Sequence, residues 1–249
     1  MKLRQRFRRL ILPTIPGAFP HSESLWDCPK QVTASDVHDE RIDTGRHGGA
    51  TAGDAEVAAP TGDPMMIGLP SFIVGSIALG LVLVGYVPAA AVGASLPIIL
   101  AATGLGLAVA ALWSAALNQS AVASVFSIFT GFWWSYALLV LGLTHNWFGI
   151  GADAAVSTQA LFLISWLSVI GILTLATLRL PVAYTVLFLL IDLALALVLT
   201  STLQASTGLA KTAGVVVLAF AAVGVYLFGS SASQATGGKA FPLGPPLMH

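Results

Sequence analysis

Charge is what this chain lacks over most of its length. Beyond Pro64 the only charged side chains are Asp153, Arg179, Asp192, Lys211 and Lys239, in a chain of 249 residues. So few ions cannot maintain a water-facing surface of ordinary composition, which excludes a soluble globular domain over that stretch. Cysteine is nearly absent as well. Cys28 stands alone, so an internal disulfide and a cysteine-based metal cluster are both excluded. There is no glycine-rich phosphate loop ending in Lys-Ser or Lys-Thr, so the chain is not an ATP-driven pump. No Ser–His–Asp or Cys–His arrangement is readable, and the apolar segments offer too few polar groups to converge on a reaction. The expectation is a protein that is not an enzyme, uses no cofactor or metal, and has no nucleic-acid partner. His21, His38 and His47 fall in a polar leader with nothing to organise them, and His145, beside Asn146 and Trp147, reads as an interface anchor.

What is present is an almost unbroken series of apolar segments from Met66 to Gly229. A helix needs about 20 apolar residues to cross a bilayer. On that scale the spans are Met66 to Tyr86, Val92 to Leu117, Val122 to Thr144, Val156 to Leu178, Val182 to Thr202 and Ala210 to Gly229. Pro88, Asn118–Gln119, Asn146, Arg179–Pro181 and Gln204–Gly208 separate them. Backbone groups in lipid must be satisfied within the segment, and the alternation of a barrel strand is absent, so the spans are helices. The fold class is all-α: a polytopic membrane protein of six transmembrane helices in one bundle per protomer. Residues 1–62 read as a disordered polar and basic extension, 63–229 as the membrane domain, and 230–249 as a short cytoplasmic tail.

Eight of the eleven Lys and Arg residues precede the first span: Lys2, Arg4, Arg6, Arg8, Arg9, Lys30, Arg41 and Arg46. Cationic flanks stay in the cytoplasm, which places both termini there in a plasma (inner) membrane, with Arg179 and Lys239 on the same side. The basic start suits anionic lipid headgroups. A cleaved signal is a competing reading, although its apolar part, Leu10 to Leu12, is cut short by Pro13 and Pro16. A true start at Met65 or Met66 is another. Within the third span, Ser127, Gly131 and Ser135 form a small-residue seam that suits helix packing or subunit contact.

Three stretches carry more information. Asp63-Pro64-Met65-Met66-Ile67-Gly68-Leu69 resembles the Asn-Pro-Ala-Pro-Leu-Gly-Leu motif of the acetate uptake transporters, which include the bacterial succinate–acetate permeases. Ser124 to Ser135 (SVFSIFTGFWWS) is similar to that family's third-span pattern, with Phe126, Phe132 and Trp133 matching outright. Ala213-Gly214, Tyr226-Leu227 and Phe241-Pro242-Leu243-Gly244 resemble its last span and ending. The departures are Asp63 for Asn, Met65 and Met66 for Ala and Pro, and loss of the turn that follows the family's second span. The resemblance implies a hexamer of six-helix protomers, each with its own pore, moving acetate or a similar small organic acid. It also implies a pore constriction, carried onto Phe72, Phe129 and Ile191. Such an apolar ring blocks ions by dewetting, and a carboxylic acid that has taken up a proton can pass it. Where the family has Tyr, Phe129 offers no hydroxyl. Asp63, Pro64, Gly68 and Leu69 would form the mouth of the pore, where Asp63 also suits a helix cap and Pro64 the first helical position.

One feature lies outside the family pattern. Asp192 sits in the middle of the fifth span, between Ile191 and Leu193. A charge at that depth costs at least ~2.5–3.5 kcal/mol, and the nearest cations, Arg179 and Lys211, lie near helix ends, too far along the axis to pair with it. It should be protonated or face water. Two roles follow: proton coupling beside Ile191, or a neutral carboxyl bonded to Ser or Thr of a neighbouring helix. Two other functions also fit the chain, a urea or short-amide channel and a non-transporting membrane scaffold.

Overall fold

A computed structural model describes residues 61–248. The basic arm, Cys28, His21, His38 and His47 lie outside the described residues. The described chain is all-helical, with no β-strand among the described residues: α1 Met65–Val84, α2 Leu105–Ala116, α3 Ser120–His145, α4 Ala155–Thr177, α5 Val182–Gln204 and α6 Thr207–Ala235. Six segments are long and apolar enough to cross a bilayer, the second running Gly93–Ala116. The protein is thus an integral, multi-pass membrane protein.

Each helix packs on its neighbours in the chain, and α6 closes onto α1, so the six form a ring. Lipid is as apolar as leucine, so close packing, and not expulsion of water, must hold the helices together. Side-chain size sets the spacing. Gly68 on α1 leaves the space that the Phe126 ring of α3 occupies, and a methyl group there would collide with it. The α3–α4 seam is the opposite case. Phe132 and Tyr136 on α3 meet Phe162 and Trp166 on α4, with Phe132 5.8 Å from Phe162 and 5.7 Å from Trp166 between ring centroids. These rings hold the two backbones apart, and α3 and α4 make the sparsest seam in the ring. The outward faces are apolar as lipid demands, with Leu161, Ile172 and Leu175 of α4 exposed.

Two boundaries differ from the sequence reading. The second span is not one regular helix. A 3-10 turn, Ala89–Ser95, leads through Pro97 into a π-helical turn, Ile98–Gly104, before α2 begins. Proline removes a backbone donor and crowds the carbonyl four residues earlier, which disturbs the helical ladder. A carbonyl inside the widened turn, Leu100 O, accepts from Trp134 Nε1 at 3.4 Å. The second difference is at the end of α6, which continues through Gly229 to Ala235, so residues 230–235 are helix and not tail. Ser230 and Ser231 are buried there, because the following residues fold back over them. Phe241 N donates to Ser230 Oγ (3.1 Å) and Tyr226 Oη to Pro242 O (2.9 Å). The chain then reaches the α4–α5 corner, where Ala183 N donates to Leu243 O (3.1 Å) and Met248 N to Leu178 O (2.9 Å).

Hydroxyl groups in the helices are satisfied locally. Ser76, Ser114 and Thr130 each donate to the carbonyl four residues back. Among the described residues, the buried hydroxyls left without a partner are Ser95 and Thr103. They lie in the 3-10 and π turns, where that carbonyl is displaced from its α-helical position.

Candidate functional site

Alternate helices of the ring start at the same end of the molecule. At that end, the starts of α1, α3 and α5 and the α4–α5 corner enclose a cavity of about 240 Å³. Its walls include Met65, Leu69, Val122, Phe126, Tyr184 and Phe188, with Thr177 and Tyr184 the polar members. A second cavity of about 40 Å³ lies further along the same axis, walled by α1, α3, α5 and α6. Phe72 and Phe129 line both cavities. Their centroids are 5.1 Å apart, edge to face, a favourable aromatic geometry. The contact extends on each side. Phe188 lies 5.8 Å from Phe129, and Phe220 lies 5.7 Å from Phe72. Four buried phenylalanines from α5, α3, α1 and α6 thus form a continuous file of rings across the axis.

Phe72 and Phe129, two of the three residues assigned to a constriction from sequence, are therefore in contact. Ile191 is buried and lines only the inner cavity. Phe188 and Phe220 were not anticipated. Phe188 precedes Ile191 by three residues, so helical spacing already puts the two on one face.

The leading motif lies at this end of the bundle. Pro64 has helical dihedrals and Asp63 acts as the cap, its Oδ1 accepting from Met65 N at 2.9 Å. Gly68 admits Phe126, and Leu69 faces the first cavity. Tyr184 Oη reaches Met65 Sδ at 3.6 Å. Of the third-span motif, Phe126 faces the first cavity, while Phe132 and Trp133 face the second.

Asp192 is placed differently. It lines neither cavity. Its Oδ2 lies 2.6 Å from Thr174 Oγ1 of α4, within hydrogen-bond distance, and Oδ1 is buried without a partner. The same Thr174 hydroxyl also lies 2.9 Å from Ile170 O. Below it, Thr185 donates to Thr177 O at 2.9 Å, so the α4–α5 contact is a short polar seam in an apolar bundle. No group of three or more His, Cys, Asp or Glu side chains suited to a metal ion occurs among the described residues.

No curated protein matches the chain by sequence. Among solved structures, it is similar to the structure described as that of the bacterial acetate channel SatP. The TM-score is 0.66 at 19% identity, over 74% of this chain and 100% of that one. That likeness is one of fold. The family model described as GPR1/FUN34/yaaH matches residues 49–241, which takes in all six spans and stops at the start of the returning tail. The chain belongs to the GPR1/FUN34/yaaH family, the acetate uptake transporters that its first-span, third-span and C-terminal motifs resemble.

Proposed function

We propose that this protein carries acetate, or a similar small monocarboxylic acid, across the membrane through the axis shared by the two cavities. The observation that carries this reading is their meeting at one pair of phenylalanines, Phe72 and Phe129. In this reading the file of four rings is a dry constriction. A hydrated carboxylate loses its shell there without compensation, whereas the neutral acid loses little. Each acid molecule then crosses with its own proton, and no separate relay is needed.

Asp192 fits a structural role within this scheme. One hydroxyl carries one proton, and Thr174 faces two acceptors. A neutral Asp192 carboxyl donating to Thr174, with Thr174 donating to Ile170 O, satisfies both contacts. In this reading the protein is a hexamer, as the family resemblance implies, and the cationic residues ahead of the first span support a plasma-membrane orientation with both termini in the cytoplasm and the first cavity opening inward.

The test is uptake of radiolabelled acetate, succinate and urea into proteoliposomes at several pH values. Above the acid's own pKa its neutral fraction falls about tenfold per pH unit, and acetate uptake at fixed total concentration should fall in parallel. Uptake of urea that ignores pH, with no acetate uptake, would move the protein to the amide-channel reading. No flux of any solute would leave a scaffold.

A further inference from the structure

We propose that the first cavity is a binding site for the apolar tail of a larger monocarboxylic acid, such as hexanoic or benzoic acid, which enters tail first and stops at the Phe72–Phe129 pair. The inference rests on the transport reading above and names a ligand class that the same passage holds without carrying.

Met65 opens α1 and Phe72 stands seven residues further on, so the cavity reaches about 10 Å into the bundle at 1.5 Å per residue. Its floor is the Phe72–Phe129 contact, with both rings buried. Its exposed lining residues, Ala121 and Leu180, stand at the start of α3 and in the α4–α5 corner. The cavity therefore opens at the end of the bundle and not into lipid at mid-depth.

The wall decides which part of a ligand goes in. Its hydroxyl groups belong to Thr177 and Tyr184, and both are already bonded. Thr177 Oγ1 donates to Thr174 O at 2.7 Å, and Tyr184 Oη to Met65 Sδ at 3.6 Å. A carboxylate pushed past them would lose its hydration and find no partner. A hydrocarbon tail loses nothing there and is stabilised by leaving water. The carboxylate therefore stays at the open end, and the tail lies along Leu69, Val125, Phe126 and Phe188.

Volume sets the size of the ligand. The first cavity holds about 240 Å³, against about 40 Å³ beyond the phenylalanine pair. An apolar cavity of about 150 Å³ is large enough to bind benzene. The first cavity accepts a tail of that size, and the second does not. Acetate, with a single methyl group, leaves most of the first cavity unfilled. Larger apolar acids thus bind more tightly than acetate yet cannot follow it.

The test is a homologous series. Propionate, butyrate, pentanoate and hexanoate share one carboxyl and differ at fixed pH only in the tail. Each added methylene should lower the concentration that half-inhibits radiolabelled acetate uptake about fourfold, the ~0.8 kcal/mol of one buried CH₂. Proteoliposomes are compared with protein-free liposomes as the blank. Succinate has the carbons of butyrate and a second carboxyl, and should inhibit far less than butyrate. Radiolabelled hexanoate should not be taken up above the blank. Val125→Phe fills the space and should flatten the series. Hexanoate should also bind wild-type protein in nanodiscs above the level of empty nanodiscs, and benzoate should displace it. That readout needs neither flux nor a variant. Inhibition that ignores tail length, hexanoate carried as fast as acetate, an unaltered series in a Val125→Phe protein that carries acetate, or no binding above empty nanodiscs would each overturn the assignment and leave the transport reading standing. Wild type that takes up no acetate would remove the transport reading instead, and hexanoate binding in nanodiscs would still decide the site.

Discussion

Phe72 and Phe129 are the side chains shared by both cavities, so each should control passage more strongly than a residue facing only one. Replacing Phe72 with Ala removes the central ring of the file and joins the two spaces. The expected result is a several-fold rise in succinate and urea leak through proteoliposomes. It should come with a loss of stability on the scale of about 3–5 kcal/mol seen for Phe→Ala in packed cores, read as a lower melting temperature in detergent. Asp192 gives a contrasting prediction. An Asn side chain can donate to Thr174 as a neutral carboxyl does, so Asp192→Asn should keep both uptake and its pH profile. Asp192→Leu removes the partner of Thr174 and should lower the melting temperature by several degrees. A shifted pH profile in Asp192→Asn would instead assign this carboxyl to proton movement. The sequence made part of this visible. The family resemblance singled out Phe72 and Phe129, which the fold brings into contact, and depth among leucines flagged Asp192. The sequence could not show that Asp192 turns toward α4, because both faces of the fifth span are equally apolar in composition. Nor could it separate Trp133 from Trp134. They are neighbours of identical type, and only packing shows that one indole is bonded and the other is not.

At the scale of elements, hydropathy located all six spans but ended the sixth six residues early, at Gly229 where the helix runs to Ala235, and described the second one too simply. Pro97 was visible, yet a proline inside an apolar run is compatible with a kink, a break or a tolerated helix. The widened turn depends on Trp134, 34 residues away, whose indole takes a carbonyl there. Gly104 completes the arrangement, because a side chain at that position would run into the Trp134 indole. Gly104→Ala should therefore displace Trp134 and destabilise the protein by about 1–3 kcal/mol, the usual range for overpacking. A thermal melt in detergent would detect it, and an unchanged melting temperature would mean the turn accommodates a methyl group. The α3–α4 seam was legible only as a count of aromatics. That Phe132, Tyr136, Phe162 and Trp166 face one another follows from the ring closing, which no single helix records.

For the molecule as a whole, scarcity of charge established the membrane class directly, and three degenerate motifs together pointed to the family. The substrate was less legible for the same reason: lipid already dictates apolar residues, so the composition of a dry passage resembles that of the bundle around it. Only the convergence of α1, α3, α5 and α6 on one axis distinguishes the two. The returning tail is another feature of the whole chain. Deleting residues 241–249 would free Leu178 O and uncover Tyr226 and Ser230, and should lower the melting temperature by several degrees without removing any span. An unaltered melt would show that the tail only rests on the bundle. The docking of this tail also bears on the order of assembly. Leu243 and Met248 are made after all six helices, yet they complete the hydrogen bonding of a corner between the fourth and fifth. During synthesis that corner must wait, its carbonyl open, until the ribosome has passed the last helix. The corner beside the first cavity therefore gains these hydrogen bonds only after all six helices have been made, so a local joint of the bundle is closed by chain synthesised far from it.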